Sequence, residues 1–257
     1  MFCLFTVSII QNTVTRNMNK EILLTSYPGN GEGEPFRSQN HFLERFRSSL
    51  LQCKNALFVA SNPDGFEVTD YYANETWYTM ELSDIHISGH SVLDNRNSEQ
   101  AEQLVSWSDV IILAGGHVPT QNRFFQKIGL RELLIGFEGV ILGISAGSMN
   151  SADIVYAQPE EEGEGINPEY VKFLKGLGLT QCMILPHYQD TKNQILDGKR
   201  IFEEITYPDS MGREFYALPD GSYLYIKDGQ ERICGEAYLI KDGFCKQICS
   251  NEEEFIL

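Results

Sequence analysis

Basic residues are scarce in this 257-residue chain: 20 Lys and Arg stand against 36 Asp and Glu, a formal net charge of −16. A field of that sign repels phosphate backbones and anionic headgroups, so neither nucleic acid nor an acidic membrane surface is an expected partner. Cysteine is sparse as well. The six thiols, Cys3, Cys53, Cys182, Cys234, Cys245 and Cys249, show no CxxC spacing, which argues against a disulfide scaffold and a zinc site and for the cytoplasm. With 22 Gly and 9 Pro the chain is too poor in both for collagen or a low-complexity linker, and 42% apolar residues is too rich for disorder. No apolar run reaches the roughly 18 residues of a membrane span. Residues 1–10 are apolar but lack the basic start and small-residue cleavage site of a secretory leader. Met18-Asn19-Lys20 directly precedes the first strand-like run, so residues 1–17 read as a disordered tail or a misassigned start, and 18–257 as one domain.

Short apolar runs alternate with helical stretches from residue 20 onward. Strands are expected at 22–26, 56–60, 84–87, 110–114, 140–144 and 182–185, with helices at 36–53, from 65 to about 80, and at 97–107. Continuous apolar runs of this length are how strands buried on both faces look. The expected fold is therefore α/β: a doubly wound, mainly parallel sheet flanked by helices. Toward the C-terminus apolar runs are separated by Pro219-Asp220-Gly221, Lys227-Asp228-Gly229 and Lys241-Asp242-Gly243, a hairpin signal that predicts antiparallel strands closing the same domain. In parallel sheets ligands sit beyond the carboxyl ends of the strands.

Just past the run 140–144 stands Gly143-Ile144-Ser145-Ala146-Gly147, a GxSxG pattern between a buried-type strand and a small-residue helix start. Such a turn lifts a serine hydroxyl out of the sheet. Serine needs a base, and His187, just past the run 182–185, is the first candidate, expected on the same sheet edge as Ser145. His117, after Gly115-Gly116 at another strand end, is the second. The two glycines let backbone approach a ligand closely, and the amides of Gly116 and Ala146 are candidate donors to an oxyanion. The orienting carboxylate could come from Glu160, Glu161, Glu162 or Glu164. His and Cys are too scattered for a ligand set, and residues 160–164 lack the spacing of a calcium loop, so no metal and no cofactor are expected.

Leu113-Ala114-Gly115-Gly116, then Gly143-Ile144-Ser145-Ala146-Gly147-Ser148, then Leu185-Pro186-His187-Tyr188 resemble the three blocks of the peptidase E and cyanophycinase family of serine peptidases, whose fold is that of class I glutamine amidotransferases. The resemblance covers roughly residues 20 to 245. It implies Ser145 as nucleophile, His187 as general base, the Gly116 and Ala146 amides as oxyanion hole, and Gly115 and His117 on the substrate side. The acid of peptidase E, fifteen positions after its serine, falls on Glu160, while the cyanophycinase pattern keeps Glu162 and Glu164 open. Glu160 follows Pro159 and an apolar run, a firmer support than the glycine-flanked residues after it. The implied activity is that of a dipeptidase-like serine exopeptidase acting on small peptides through an acyl-enzyme; an amidase or glutaminase-like acyl transferase, or a catalytically silent binding protein, are the other readings. Two departures stand out. No arginine follows His187 until Arg200, where peptidase E carries a segment associated with N-terminal aspartate, and the glycine loop continues as His117-Val118.

A chain beginning at Met18 is expected to keep the melting temperature of the full-length protein, since residues 1–16 show no helical or strand period that could pack on a domain. Thermal unfolding of the two chains checks this; a drop of several degrees means that the segment is docked.

Overall fold

A computed structural model describes residues 20–257, so the segment 1–17 lies outside the described residues. Strands β1 (Glu21–Thr25), β2 (Asn55–Val59), β3 (Gly89–Leu93), β4 (Val110–Leu113) and β5 (Val140–Ile144) pair in parallel in the spatial order β3-β2-β4-β5-β1. Their side chains alternate between two buried layers, as the pleat requires. On one face Leu23, Phe58, Ile112 and Leu142 pack against Phe42 and Phe46 of α1 (Phe42–Ser49) and Ala73 and Met80 of α2 (Phe66–Leu82). On the other, Leu24, Leu57, Leu113 and Ile141 meet Val105 of α3 (Ala101–Trp107), Phe124 and Phe125 of α4 (Val118–Lys127), and Leu130 and Leu134 of α5 (Leu130–Ile135). The sheet is thus wound on both faces, as expected from its apolar runs.

One expected strand is a loop. In Asp84-Ile85-His86-Ile87 both isoleucines are buried, but the segment finishes α2: the Asp84 N–H donates to the Glu81 carbonyl (3.0 Å) and that of Ile85 to the Met80 carbonyl (2.9 Å). The alternating apolar pattern reflects burial under the helix end, and pairing with β2 starts two residues later, at Gly89.

The C-terminal half builds a second layer of strands. Helix α6 (Ala146–Met149) follows β5; β6 (Ile154–Tyr156) and β7 (Phe173–Lys175) pair antiparallel, and β8 (Met183–Leu185) leads into α7 (Tyr188–Thr191). After the two-residue pair β9 (Ile195–Leu196) and β10 (Lys199–Arg200) come β11 (Glu214–Ala217), β12 (Tyr223–Lys227), β13 (Gln230–Cys234), β14 (Ala237–Lys241), β15 (Phe244–Cys249) and β16 (Glu254–Ile256). Strand β12 pairs antiparallel with the outer edge of β1, and β13 and β16 extend that sheet to eight strands. Strands β8, β11, β14 and β15 form a four-stranded sheet, in the order β15-β14-β11-β8. Strand β8 therefore does not join the parallel sheet, contrary to expectation: β12 occupies the edge it would have used, and β8 runs parallel to β11 instead.

Of the three Asp-Gly turns singled out toward the C-terminus, two are hairpins. Asp228 (φ 52°) with Gly229 (φ 74°) and Asp242 (φ 48°) with Gly243 (φ 80°) supply the paired positive φ that matches strand twist, joining β12 to β13 and β14 to β15. Pro219-Asp220-Gly221 instead crosses from β11 in the small sheet to β12 in the large one. Between the sheets a third buried cluster includes Val118, Ala146, Leu185 and Ile240, with Tyr156 stacked on Phe215 at 4.2 Å.

Gly147 sets the approach of α6 to the parallel sheet. A Cβ there would lie 2.2 Å from the Leu113 carbonyl oxygen, a backbone atom that cannot swing away. Gly147→Ala is expected to lower stability by about 1–3 kcal/mol, the cost of overpacking a filled core, measured as a shift in the urea midpoint at unchanged slope.

Candidate active site

Ser145 sits where β5 turns into α6, with φ 51° and ψ −111°, a conformation that costs a side-chain-bearing residue about 1–3 kcal/mol. The surroundings hold it there. The Ser145 N–H donates to the carbonyls of Thr25 (3.1 Å) and Ser26 (3.2 Å) at the end of β1. Gly143 leaves room for the Leu24 side chain, which a Cβ would meet at 2.9 Å. Ala146, the next residue, opens α6, and the first N–H groups of a helix have no acceptor within it. The Ser145 hydroxyl lies 2.9 Å from His187 Nε2.

His187 follows β8 in a left-handed conformation, φ 55° and ψ 34°, and opens α7. Its Nδ1 is 2.8 Å from Asp220 Oδ1 in the crossover between the sheets. Leu185 pairs with Ala217, so β8 and β11 end together, and Leu185-Pro186-His187 and Leu218-Pro219-Asp220 leave them side by side. Burial raises the Asp220 pKa, but hydrogen bonds from His187 and from Ser26 Oγ (2.7 Å) outweigh it and hold the carboxyl below its ordinary value. An ionised carboxylate only accepts. His187 therefore carries its proton on Nδ1, leaving Nε2 to accept from the Ser145 hydroxyl.

The carboxylate facing His187 is thus Asp220 and not Glu160, Glu161, Glu162 or Glu164. Glu160 Oε1 accepts the Val118 N–H (3.0 Å) at the start of α4, where the helix dipole favours a carboxylate. Glu164 pairs with His117: Oε1 lies 2.9 Å from His117 Nε2, while Nδ1 of that ring is 2.8 Å from Thr120 Oγ1. Both ring nitrogens of His117 are therefore committed away from Ser145. Burial raises the Glu164 pKa, but the N–H groups of Glu160 and Glu161 together with His117 bring it below its ordinary value. Asp220 was hidden because Asp-Gly between apolar runs reads as a hairpin tip. The signal that finds it is the repeat of Leu-Pro after two strands, followed once by His and once by Asp.

A cleft of about 730 Å³ opens onto Ser145 and His187, with Gly115, Gly116 and His117 in its wall. Gly116 has φ +150°, and a Cβ on it would lie 2.4 Å from Ser61 Oγ, so glycine is needed for this close passage of the chain. Tyr27, Tyr71 and Tyr72 line the cleft with Glu32 and Glu75, and among the described residues no Lys or Arg lines it. The scatter of His along the sequence conceals a convergence among the described residues: His117, Glu161 and Glu164 each place a ligand atom within 4.8 Å of the others and could together hold a metal ion.

The family model for peptidase family S51 matches residues 22–234. Among solved structures, a peptidase from an acI-B1 Actinobacterium superposes with a TM-score of 0.63 at 14% identity, over 93% of this chain and 98% of that one. A putative peptidase E protein from Listeria monocytogenes EGD-e gives 0.57 at 16% identity, over 89% and 98%. At these identities the likeness is one of fold. No curated protein matches the chain in sequence.

Burial pushes the Glu160 carboxyl above its ordinary value, against the Val118 N–H and the charge of His117. A raised folded-state pKa contributes stability that is fully present below the unfolded value and lost as pH rises through the folded one. Glu160→Gln keeps an acceptor for Val118 without the charge. Its melting temperature relative to wild type is expected to be higher at about pH 7 than at about pH 4, below the ordinary glutamate pKa; thermal melts at the two values check this.

Proposed function

The chain belongs to peptidase family S51, and from that membership we propose that it is a serine peptidase that hydrolyses short peptides through an acyl-enzyme on Ser145. The observation that carries this reading is the unbroken line Ser145 Oγ, His187 Nε2, His187 Nδ1, Asp220 Oδ1, with separations of 2.9 and 2.8 Å.

In this reading Ser145 Oγ attacks the scissile carbonyl carbon as its proton moves to His187 Nε2. The imidazolium that forms is stabilised by Asp220, and the tetrahedral oxyanion by the N–H groups of Gly116 and Ala146. Collapse breaks the C–N bond, with the Nε2 proton going to the leaving amine. Water then attacks the ester, giving its proton to His187 Nε2, and as the C–Oγ bond breaks that proton passes to Ser145 Oγ and the acid product leaves. Glu160 acts at a distance, as the cap of α4. A cleft of this volume suits a small ligand, which supports a dipeptide-sized substrate. The carboxylates of Glu32 and Glu75, with no Lys or Arg among the described residues that line the cleft, make an acidic peptide the poorer substrate.

A fluorophosphonate is expected to label Ser145 in the wild-type protein and nothing in Ser145→Ala. On whichever member of a dipeptide library is turned over fastest, Asp220→Asn should lower kcat by roughly 10⁴, since the wrong imidazole tautomer is then favoured. Glu160→Gln should stay within about threefold, having no contact with His187. Full turnover by Ser145→Ala or Asp220→Asn overturns the reading, as does a stronger loss in Glu160→Gln than in Asp220→Asn.

A further inference from the structure

We propose that Ser26, a residue outside the reacting trio, is the positioning residue that aligns Ser145, His187 and Asp220; the inference rests on the serine-peptidase reading above. Ser26 directly follows β1 and is 0% exposed. It bonds to each of the three. Its carbonyl accepts the Ser145 N–H at 3.2 Å, its hydroxyl oxygen accepts the His187 N–H at 2.8 Å, and its hydroxyl proton goes to Asp220 Oδ1 at 2.7 Å. Its own N–H donates to the Ser222 carbonyl at 3.1 Å, which ties down the far end of the turn that carries Asp220.

The need for such a joint follows from the topology. Ser145 leaves the large sheet, His187 leaves the small one, and Asp220 lies on the chain between them, so no single strand ladder holds all three. Only groups that reach across can do so, and the Ser26 hydroxyl is fully engaged in this way. Because its oxygen receives the His187 N–H, its proton is turned toward Asp220. Oδ1 then accepts two hydrogen bonds, one from Ser26 and one from His187 Nδ1. Ser26 therefore takes up part of the carboxylate's negative charge, which would otherwise face the imidazole alone.

Two effects of removing the hydroxyl follow. Misalignment lowers kcat more than it raises KM, by about 10- to 100-fold, the scale associated with displacements of about an ångström. The unshared carboxylate favours the imidazolium, so the acid limb of the kcat/KM profile moves to higher pH. A purely structural role would lower the melting temperature and leave that limb in place.

The test uses the full-length protein and the peptide substrate identified by library screening. Ser26→Ala and Ser26→Cys, the second refilling the space with a weak donor, are compared by kcat, KM and pH profile. Both are expected to lose kcat and to shift the acid limb upward. In an Asp220→Asn background Ser26→Ala should cost less than about threefold, because residues acting as one unit are non-additive. The proposal is overturned if a folded Ser26→Ala or Ser26→Cys keeps wild-type kcat and acid limb, or if Ser26→Ala costs as much in the Asp220→Asn background as alone. Should Asp220→Asn by itself leave turnover intact, the underlying peptidase reading fails instead.

Discussion

The placement of β1 between β5 and β12 governs the rest of the molecule. On one edge β1 runs parallel to β5 with Leu24 opposite Gly143 and Thr25 opposite Ile144, so the turn carrying Ser145 leaves the sheet beside the end of β1. On the other edge β1 runs antiparallel to β12 with Thr25 opposite Tyr223, so the chain entering β12 arrives at the same point from the small sheet. An apolar strand of five residues thereby brings together segments 120 and 195 residues downstream of Thr25, at Ser145 and Asp220.

Around that point the protein treats its carboxylates differently. Asp220 is surrounded by donors and stays charged beside a histidine. Glu160 has one backbone donor and is pushed toward its neutral form. Two acidic side chains of one chain thus take opposite protonation tendencies from their surroundings, as burial and hydrogen bonding dictate. The net charge of −16 is therefore a poor guide to the local field, which depends on which oxygen atoms find N–H groups.

The parallel strands were legible because burial on both faces leaves a continuous apolar run, as in Val110-Ile111-Ile112-Leu113. The segment at Asp84 was misread because two buried isoleucines at alternate positions look alike whether they lie in a strand or beneath a helix end. Ser145 and His187 could be picked out because each stands just past an apolar run. Which sheet β8 joins was not legible, since β12, some forty residues further on, takes the edge first. Asp220 was invisible for a related reason: the local chemistry of Asp-Gly describes a turn, whereas the sheets that the turn connects are decided by partners far away in sequence. The meeting of His117 with Glu161 and Glu164 likewise depends on two loops from different elements.

Drawing the three side chains from two sheets has a consequence for how the protein can be switched off. Each ladder is held by its own backbone hydrogen bonds, but the register between the ladders depends on the apolar seam around Val118, Leu185 and Phe215 and on polar contacts such as those at Ser26. Proteins open in parts as well as globally. A partial slackening of that seam, by solvent or by temperature, would disperse the aligned groups while both ladders remain closed, so the enzyme can fall silent as a machine while it is still intact as a fold.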